Sequence, residues 1–116
     1  YGDGRHRRDW LYVEDNCEAI ELCLRKGKEG EIYNVGGGND ISNLELTRMI
    51  LSELGKEEEM IEFVKDRPGH DLRYSLDAAK IKEDLGWGPR TEFRAGLQRT
   101  VRWYRENERW WKPLIK

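Results

Sequence analysis

The apolar positions of the chain recur in two periods, and the switches between them outline the elements. Asp9-Trp10-Leu11-Tyr12-Val13 is rich in aromatic and β-branched residues and predicts a short strand. Glu14-Asp15-Asn16 then offers caps and first-turn acids for a helix. Its apolar positions Ala19, Ile20, Cys23 and Leu24 follow helical spacing, and Lys26-Gly27 ends it. Glu31-Ile32-Tyr33-Asn34-Val35 predicts a second strand running into Gly36-Gly37-Gly38. Ser42 and Glu45 stand three apart, the spacing of a capping box, before a helix whose stripe is Leu46, Met49, Ile50 and Leu54, with Gly55 as its stop. Ile61-Glu62-Phe63-Val64 predicts a third strand. Asp77 caps a short helix carrying Ile81 and Leu85, where Gly86 takes a left-handed stop and Trp87 the hydrophobic contact after it. The longest helix is expected from Thr91, with Phe93, Leu97, Val101 and Tyr104 on one side. There is no repeat, linker or low-complexity tract, so the pattern predicts one small mixed α/β unit over residues 1–116.

Composition narrows the class. The 116 residues carry 21 Lys+Arg against 23 Asp+Glu, a formal net charge of -2. That balance argues against a dedicated nucleic-acid binder. A mean hydropathy of -0.92, and no apolar run near the roughly 18 residues of a spanning helix, argue against a membrane protein. Twelve aromatic residues within periodic patterns argue against disorder. Cys17 and Cys23 are six residues apart on one predicted helix, so they face directions about 120° apart and sit about 9 Å apart along the axis. They cannot bridge each other, no cluster completes a metal site, and free thiols fit a reducing cytosol. Arg90, Arg94, Arg99, Arg102, Arg105 and Arg109 make the C-terminal stretch basic, as a solvated helix face would be.

Searches for catalytic motifs fail. Each Gly-x-Gly pair breaks the dinucleotide fingerprint at its third position, where Arg7, Ile41 and Thr91 stand. No P-loop, HExxH or GxSxG occurs, and His6 and His70 are the only histidines. Two segments are nonetheless dense in anion-binding chemistry. Arg5-His6-Arg7-Arg8-Asp9 places planar cation forks at the start of a strand. In Asp66-Arg67-Pro68-Gly69-His70-Asp71, Pro68 holds Arg67 extended and Gly69 permits a turn, so Arg67 and His70 are displayed from one bend. Asn34, just before three glycines, stands where a backbone can approach a ligand closely. Each also has a plain structural reading as a polar turn.

These residues carry a family resemblance. Tyr1-Gly2-Asp3-Gly4 with Arg8-Asp9-Trp10-Leu11-Tyr12-Val13-Glu14-Asp15, then Tyr33-Asn34-Val35-Gly36-Gly37, resembles the nucleotide-sugar enzymes of the extended short-chain dehydrogenase/reductase family. Asp66 to Asp71 with Arg73-Tyr74, Leu85-Gly86-Trp87 and Thr100-Val101-Arg102-Trp103-Tyr104 narrow the likeness to its dTDP-glucose 4,6-dehydratase branch. The resemblance implies the C-terminal substrate-binding portion of a longer cytoplasmic enzyme of deoxysugar biosynthesis, one that converts dTDP-glucose to dTDP-4-keto-6-deoxyglucose. It implies NAD as cofactor of the complete enzyme, carried by an N-terminal Rossmann domain with a glycine loop and a Tyr-x-x-x-Lys pair. This sequence has neither, and none of its five tyrosines is followed four positions later by Lys. NAD is therefore not expected on this chain alone, nor are catalytic residues. The resemblance gives Arg8 and Arg67 the substrate pyrophosphate, and Asn34, Asp66, Pro68, Gly69 and His70 the nucleotide. The same segments in a UDP-sugar epimerase or decarboxylase, or in a stand-alone nucleotide-sugar-binding module, are the competing expectations. Strand edges left bare by the missing domain predict association into dimers.

Overall fold

The computed structural model describes residues 1–115. In chain order it contains β1 (Arg7–Asp9), α1 (Val13–Lys26), β2 (Asp40–Ser42), α2 (Asn43–Leu54), α3 (Ala79–Leu85), α4 (Phe93–Glu106) and α5 (Glu108–Trp111). Single 3-10 turns lie at Glu58–Met60 and Lys112–Leu114. This is a small mixed helix-and-strand unit, as expected, but its strands are fewer and placed differently. β1 ends at Asp9, two residues after it begins, because Trp10 donates its indole N–H to the Ile41 carbonyl (3.0 Å) and Val13 already opens α1. The expected strand at 31–35 keeps the alternation of one, with Tyr33 and Val35 packed inward and Ile32 and Asn34 outward. It lacks a ladder: among the described residues no neighbouring segment pairs with it, and the Ile32 carbonyl is taken by Lys80 Nζ at 2.9 Å. The expected strand at 61–64 is likewise unladdered, and Val64 accepts one backbone bond, from Gly2 N–H (2.9 Å). A strand needs a partner as well as a pattern, and these two have none here.

The helices follow local chemistry closely. α1 carries Glu14 and Asp15 in its first turn and Arg25 and Lys26 in its last, each complementing the helix dipole. At α2 the capping box forms: Glu45 N–H donates to Ser42 Oγ (3.2 Å), and Ser42 N–H donates to Glu45 Oε2 (2.9 Å). Asp77 Oδ1 accepts from Ala79 N–H (2.9 Å) at the start of α3. Gly86, at φ +70°, stops that helix and delivers Trp87 to the core. The fourth helix starts at Phe93 rather than Thr91, with the Glu92 carboxylate accepting from Arg94 and Ala95 N–H. It is as long as α1, 14 residues each, and not longer.

Ala19, Ile81 and Trp87 form the buried core between α1 and α3, flanked by Leu11, Leu22, Cys23, Tyr33, Val35, Ala78 and Leu85. Ile20 and Leu24, expected to face this core, point away from it, and Leu24 is 87% exposed. With Val13 and Cys17 they make an outward apolar stripe on α1. Buried Asp15 ties α1 to the approach of α4, accepting from Thr91 N–H (3.0 Å) and Oγ1–H (3.1 Å). Close by, Gly96 lets α4 sit against the Tyr12 ring, which a Cβ there would meet at 3.1 Å. Among the described residues no helix is long and apolar enough to cross a membrane.

Candidate functional site

β1 is the spine of the site. It pairs antiparallel with β2, Arg8 opposite Ile41 and Asp9 opposite Asp40. On its other side Arg7 N–H donates to Leu72 O (2.8 Å), and Tyr74 N–H donates to Arg7 O (3.1 Å). That second contact draws the segment 66–76 alongside β1, although 62 residues separate Arg8 from His70. Strand alternation then sorts the arginines. Arg7 turns to the side of Asp40 and Glu45, where its Nε meets Asp40 Oδ1 at 3.1 Å, and Arg73 Nε meets the other oxygen at 2.8 Å. The Asp40 carboxyl is held below its usual range, chiefly by the Arg73 bond. Arg5 pairs with Asp3 (3.4 Å). Arg8, on the opposite side, is the arginine of β1 that enters the corner formed with His70.

In that corner Arg8 Nη2 donates to His70 Nε2 (3.0 Å), and its guanidinium lies over the Tyr74 ring, 4.3 Å from the centroid. Arginine can only donate, so Nε2 of His70 carries the lone pair and Nδ1 the proton. Nδ1–H donates to Asp66 Oδ1 at 2.8 Å. That same oxygen accepts from Arg67 N–H (2.9 Å), which fixes the start of the Asp66–His70 bend. Gly69 turns the bend at φ +68°, as expected from the sequence. The His70 bond is the largest reason the Asp66 carboxyl lies below its usual range. The Tyr74 hydroxyl donates to Asp71, which raises the phenol above its usual value, while the charges of Arg8 and Arg67 pull it back down. Arg67 is exposed at the bend.

The expected site residues are therefore brought together unequally. Arg8, Asp66 and His70 form one hydrogen-bonded chain, and Arg67, Pro68 and Gly69 build the bend that carries it. Asn34 stands apart, exposed on the unladdered segment. Three residues go beyond the expected set. Asp9 accepts from Gly37 N–H (3.1 Å) and Asn39 N–H (3.0 Å), shaping the glycine turn. Tyr74 floors the Arg8 guanidinium, and His6 stacks on His70 with ring centroids 3.7 Å apart. The only sequence signals were position: Tyr74 three residues after Asp71, and His6 within the basic run.

Next to the corner lies an open cleft of about 470 Å³ lined by Arg8, Asp9, Arg73, Tyr74, Ser75 and Leu76. Two arginines beside an aromatic floor suit an oxyanion such as a phosphate ester. A second cleft of about 550 Å³, between α2 and α4, also holds two arginines, Arg102 and Arg105, but sets Glu53 and Glu106 beside them and has no aromatic floor. His6, Asp66 and His70 present ligand-type atoms within 4.8 Å of one another. Asp66 is already engaged by His70 Nδ1–H, and the Arg8 cation 3.0 Å from His70 opposes a dication there.

Comparison with known proteins agrees across the chain. Residues 1–100 match the family described as GDP-mannose 4,6 dehydratase. The chain is 53% identical to a dTDP-glucose 4,6-dehydratase of Streptomyces niveus over 98% of its length and 34% of the relative's. A dTDP-glucose 4,6-dehydratase of Streptomyces antibioticus is 45% identical over 100% of this chain and 35% of its own. Among solved structures, DesIV, the dTDP-glucose 4,6-dehydratase of Streptomyces venezuelae with NAD and TYD bound, superposes with a TM-score of 0.94 at 52% identity. That likeness covers 98% of this chain and 35% of DesIV. The UDP-glucose 4-epimerase of Thermotoga maritima with UDP-glucose gives a TM-score of 0.85 at 32% identity, over 93% of this chain and 34% of its own. The chain spans about a third of the length of the curated relatives it matches.

Proposed function

This chain belongs to the GDP-mannose 4,6 dehydratase family, and from that premise we propose that residues 1–116 are the nucleotide-sugar-binding domain of a dTDP-glucose 4,6-dehydratase. The complete enzyme would be a cytoplasmic lyase of deoxysugar biosynthesis, turning dTDP-glucose into dTDP-4-keto-6-deoxyglucose and water. One observation carries the assignment of the site: Arg8 is locked between His70 and Tyr74 at the edge of the cleft, and the exposed Arg67 stands on the bend that carries His70.

In this reading Arg8 and Arg67 hold the pyrophosphate by charge-assisted hydrogen bonds. Asp66, Pro68, Gly69 and His70 keep the bend rigid against the nucleotide, and Asn34 contacts it from the neighbouring segment. The chemistry of the domain is orientation. Binding energy from the remote dTDP group fixes where the glucose ring projects, so the reacting carbons meet their catalytic groups in one geometry.

Gly36 and Gly37 offer NAD no cradle. A Cβ on Gly36 would lie 2.4 Å from Asp9 Oδ2, and one on Gly37 would lie 2.2 Å from Trp10 O. The space beside that turn is occupied by the protein's own atoms, not kept for a dinucleotide phosphate. In this reading the cofactor of the complete enzyme is held by residues outside this sequence, on a Rossmann portion. Homodimerisation belongs to the same proposal.

Calorimetric titration of the chain with dTDP, UDP and the Arg67→Ala variant tests this reading. Arg67→Ala is expected to weaken dTDP binding about tenfold to a hundredfold, the loss of a hydrogen bond to a charged group. Unchanged affinity would remove Arg67 from the site. UDP binding tighter than dTDP would move the chain to the epimerase reading, and dehydratase turnover by these 116 residues alone would overturn the division of labour.

A further inference from the structure

His6 has no task in the nucleotide reading, yet it is among the most tightly held side chains of the corner. It is 6% exposed, and its carbonyl accepts from Asn43 N–H (2.9 Å) at the head of α2. Its ring lies nearly parallel to that of His70, at 15° and 3.7 Å. Its Nε2 is 3.3 Å from Asp66 Oδ2, while its Nδ1 is buried with no partner. A bare lone pair is a cheaper occupant of such a position than an unpaired N–H, so the ring proton belongs on Nε2, facing Asp66. Asp66 thus faces one imidazole on each oxygen, with the His70 hydrogen bond on Oδ1 and the longer 3.3 Å polar contact of His6 Nε2 on Oδ2.

We propose that His6 is a positioning residue for Arg8, acting through Asp66 and His70; the consequence for ligand rests on the nucleotide reading of Arg8 given above. The polar contact of His6 Nε2 fixes the rotation of the Asp66 carboxylate. The fixed carboxylate keeps the His70 proton on Nδ1, and only then is Nε2 free to accept from Arg8. When the His6 contact is removed, the partly exposed Asp66 side chain can turn to solvent. The His70 proton can then occupy Nε2, where it confronts the Arg8 donor and drives the guanidinium off the Tyr74 ring.

The two features of His6 can be separated. His6→Phe keeps the stacked ring and loses the donor, whereas His6→Gln keeps a donor and loses the ring. Nitrogen-15 NMR of the ligand-free chain reads the His70 tautomer directly, with no need of activity or ligand. Wild type should show a protonated Nδ1 and a bare Nε2. His6→Phe should show a mixture of the two forms and bind dTDP about threefold to tenfold more weakly, the scale of one lost hydrogen bond. His6→Gln should restore both. A wild-type His70 protonated on Nε2 would overturn the proposal without any substitution. So would a His6→Phe protein with the wild-type nitrogen pattern, or a His6→Gln protein as impaired as His6→Phe. If the tautomer follows position 6 but wild type ignores dTDP, the relay stands and the nucleotide reading of Arg8 falls.

Discussion

Between α1 and α3, Ala19, Ile81 and Trp87 are shut away from water by packing, and the only polar side-chain atom among them, the indole nitrogen, has no partner. The corner around Arg8 is built the other way. Arg8, His70, Asp66 and His6 touch through directed contacts, and each can be named by donor and acceptor. Apolar contact is non-directional and tolerates small shifts, whereas a chain of hydrogen bonds fails when one proton is in the wrong place. The packed core of Ala19, Ile81 and Trp87, a seat for α3, should therefore answer to volume, and the corner to protons.

The largest effect is expected in the seat. Ile81 is fully buried, and Ile81→Ala should cost about 3 kcal/mol of unfolding free energy, the usual loss for a deleted buried aliphatic chain. Urea denaturation measures it. In the fraction that stays folded, the His70 nitrogen signals and dTDP affinity should match wild type. A folded Ile81→Ala protein with a disturbed His70 would break the comparison, showing the two regions to be one cooperative device. Ser42→Ala lies between them, since Ser42 ends β2 opposite Arg7 and caps α2. It should cost about 1 kcal/mol, the worth of a helix N-cap. Circular dichroism on urea titration checks this, and a loss as large as that of Ile81→Ala would mean that the cap also holds the strand pairing.

The contrast also explains what could be read from the chain before its structure. The capping box at Ser42 and Glu45, the stop at Gly86 and the delivery of Trp87 depend on residues within a few positions of one another, so spacing alone reveals them. α1 was legible in extent but half-misread in orientation, because Leu22 lies inward where Ile20 and Leu24 were expected. Its outer face is apolar too, and amphipathic spacing cannot say which of two apolar stripes is the inner one. The segments 31–35 and 61–64 have strand composition but no ladder, since pairing is a property of a neighbour that local sequence does not contain. In the corner, residue chemistry nominated Arg8, Arg67 and His70 as cation-display positions. The contact of Arg8 with His70, and the stack of His6 on it, depend on a chain crossing more than sixty residues later. Asn34 was nominated with them from its place beside the glycines, yet sits outside the hydrogen-bonded chain.

The smallest effect separates the regions by pH. Asp66 lies below its ordinary value of 3.8, first because His70 donates to it, then because Arg67 N–H does. A carboxyl whose folded value is depressed stabilises the fold fully above its unfolded value, and that contribution disappears as pH falls through the lower folded one. Asp66 should thus keep its charge on acidification towards pH 4 and lose it only below 3.8. A global melting curve would blur this, because Asp40, Glu45 and Glu92 are depressed as well. The Asp66 carboxyl carbon, followed by NMR, isolates it: the midpoint should fall below 3.8 in wild type and move back towards that value in His70→Ala. A wild-type midpoint at or above 3.8 would mean that His70 does not donate to Asp66, and the corner would then rest on packing just as the seat does.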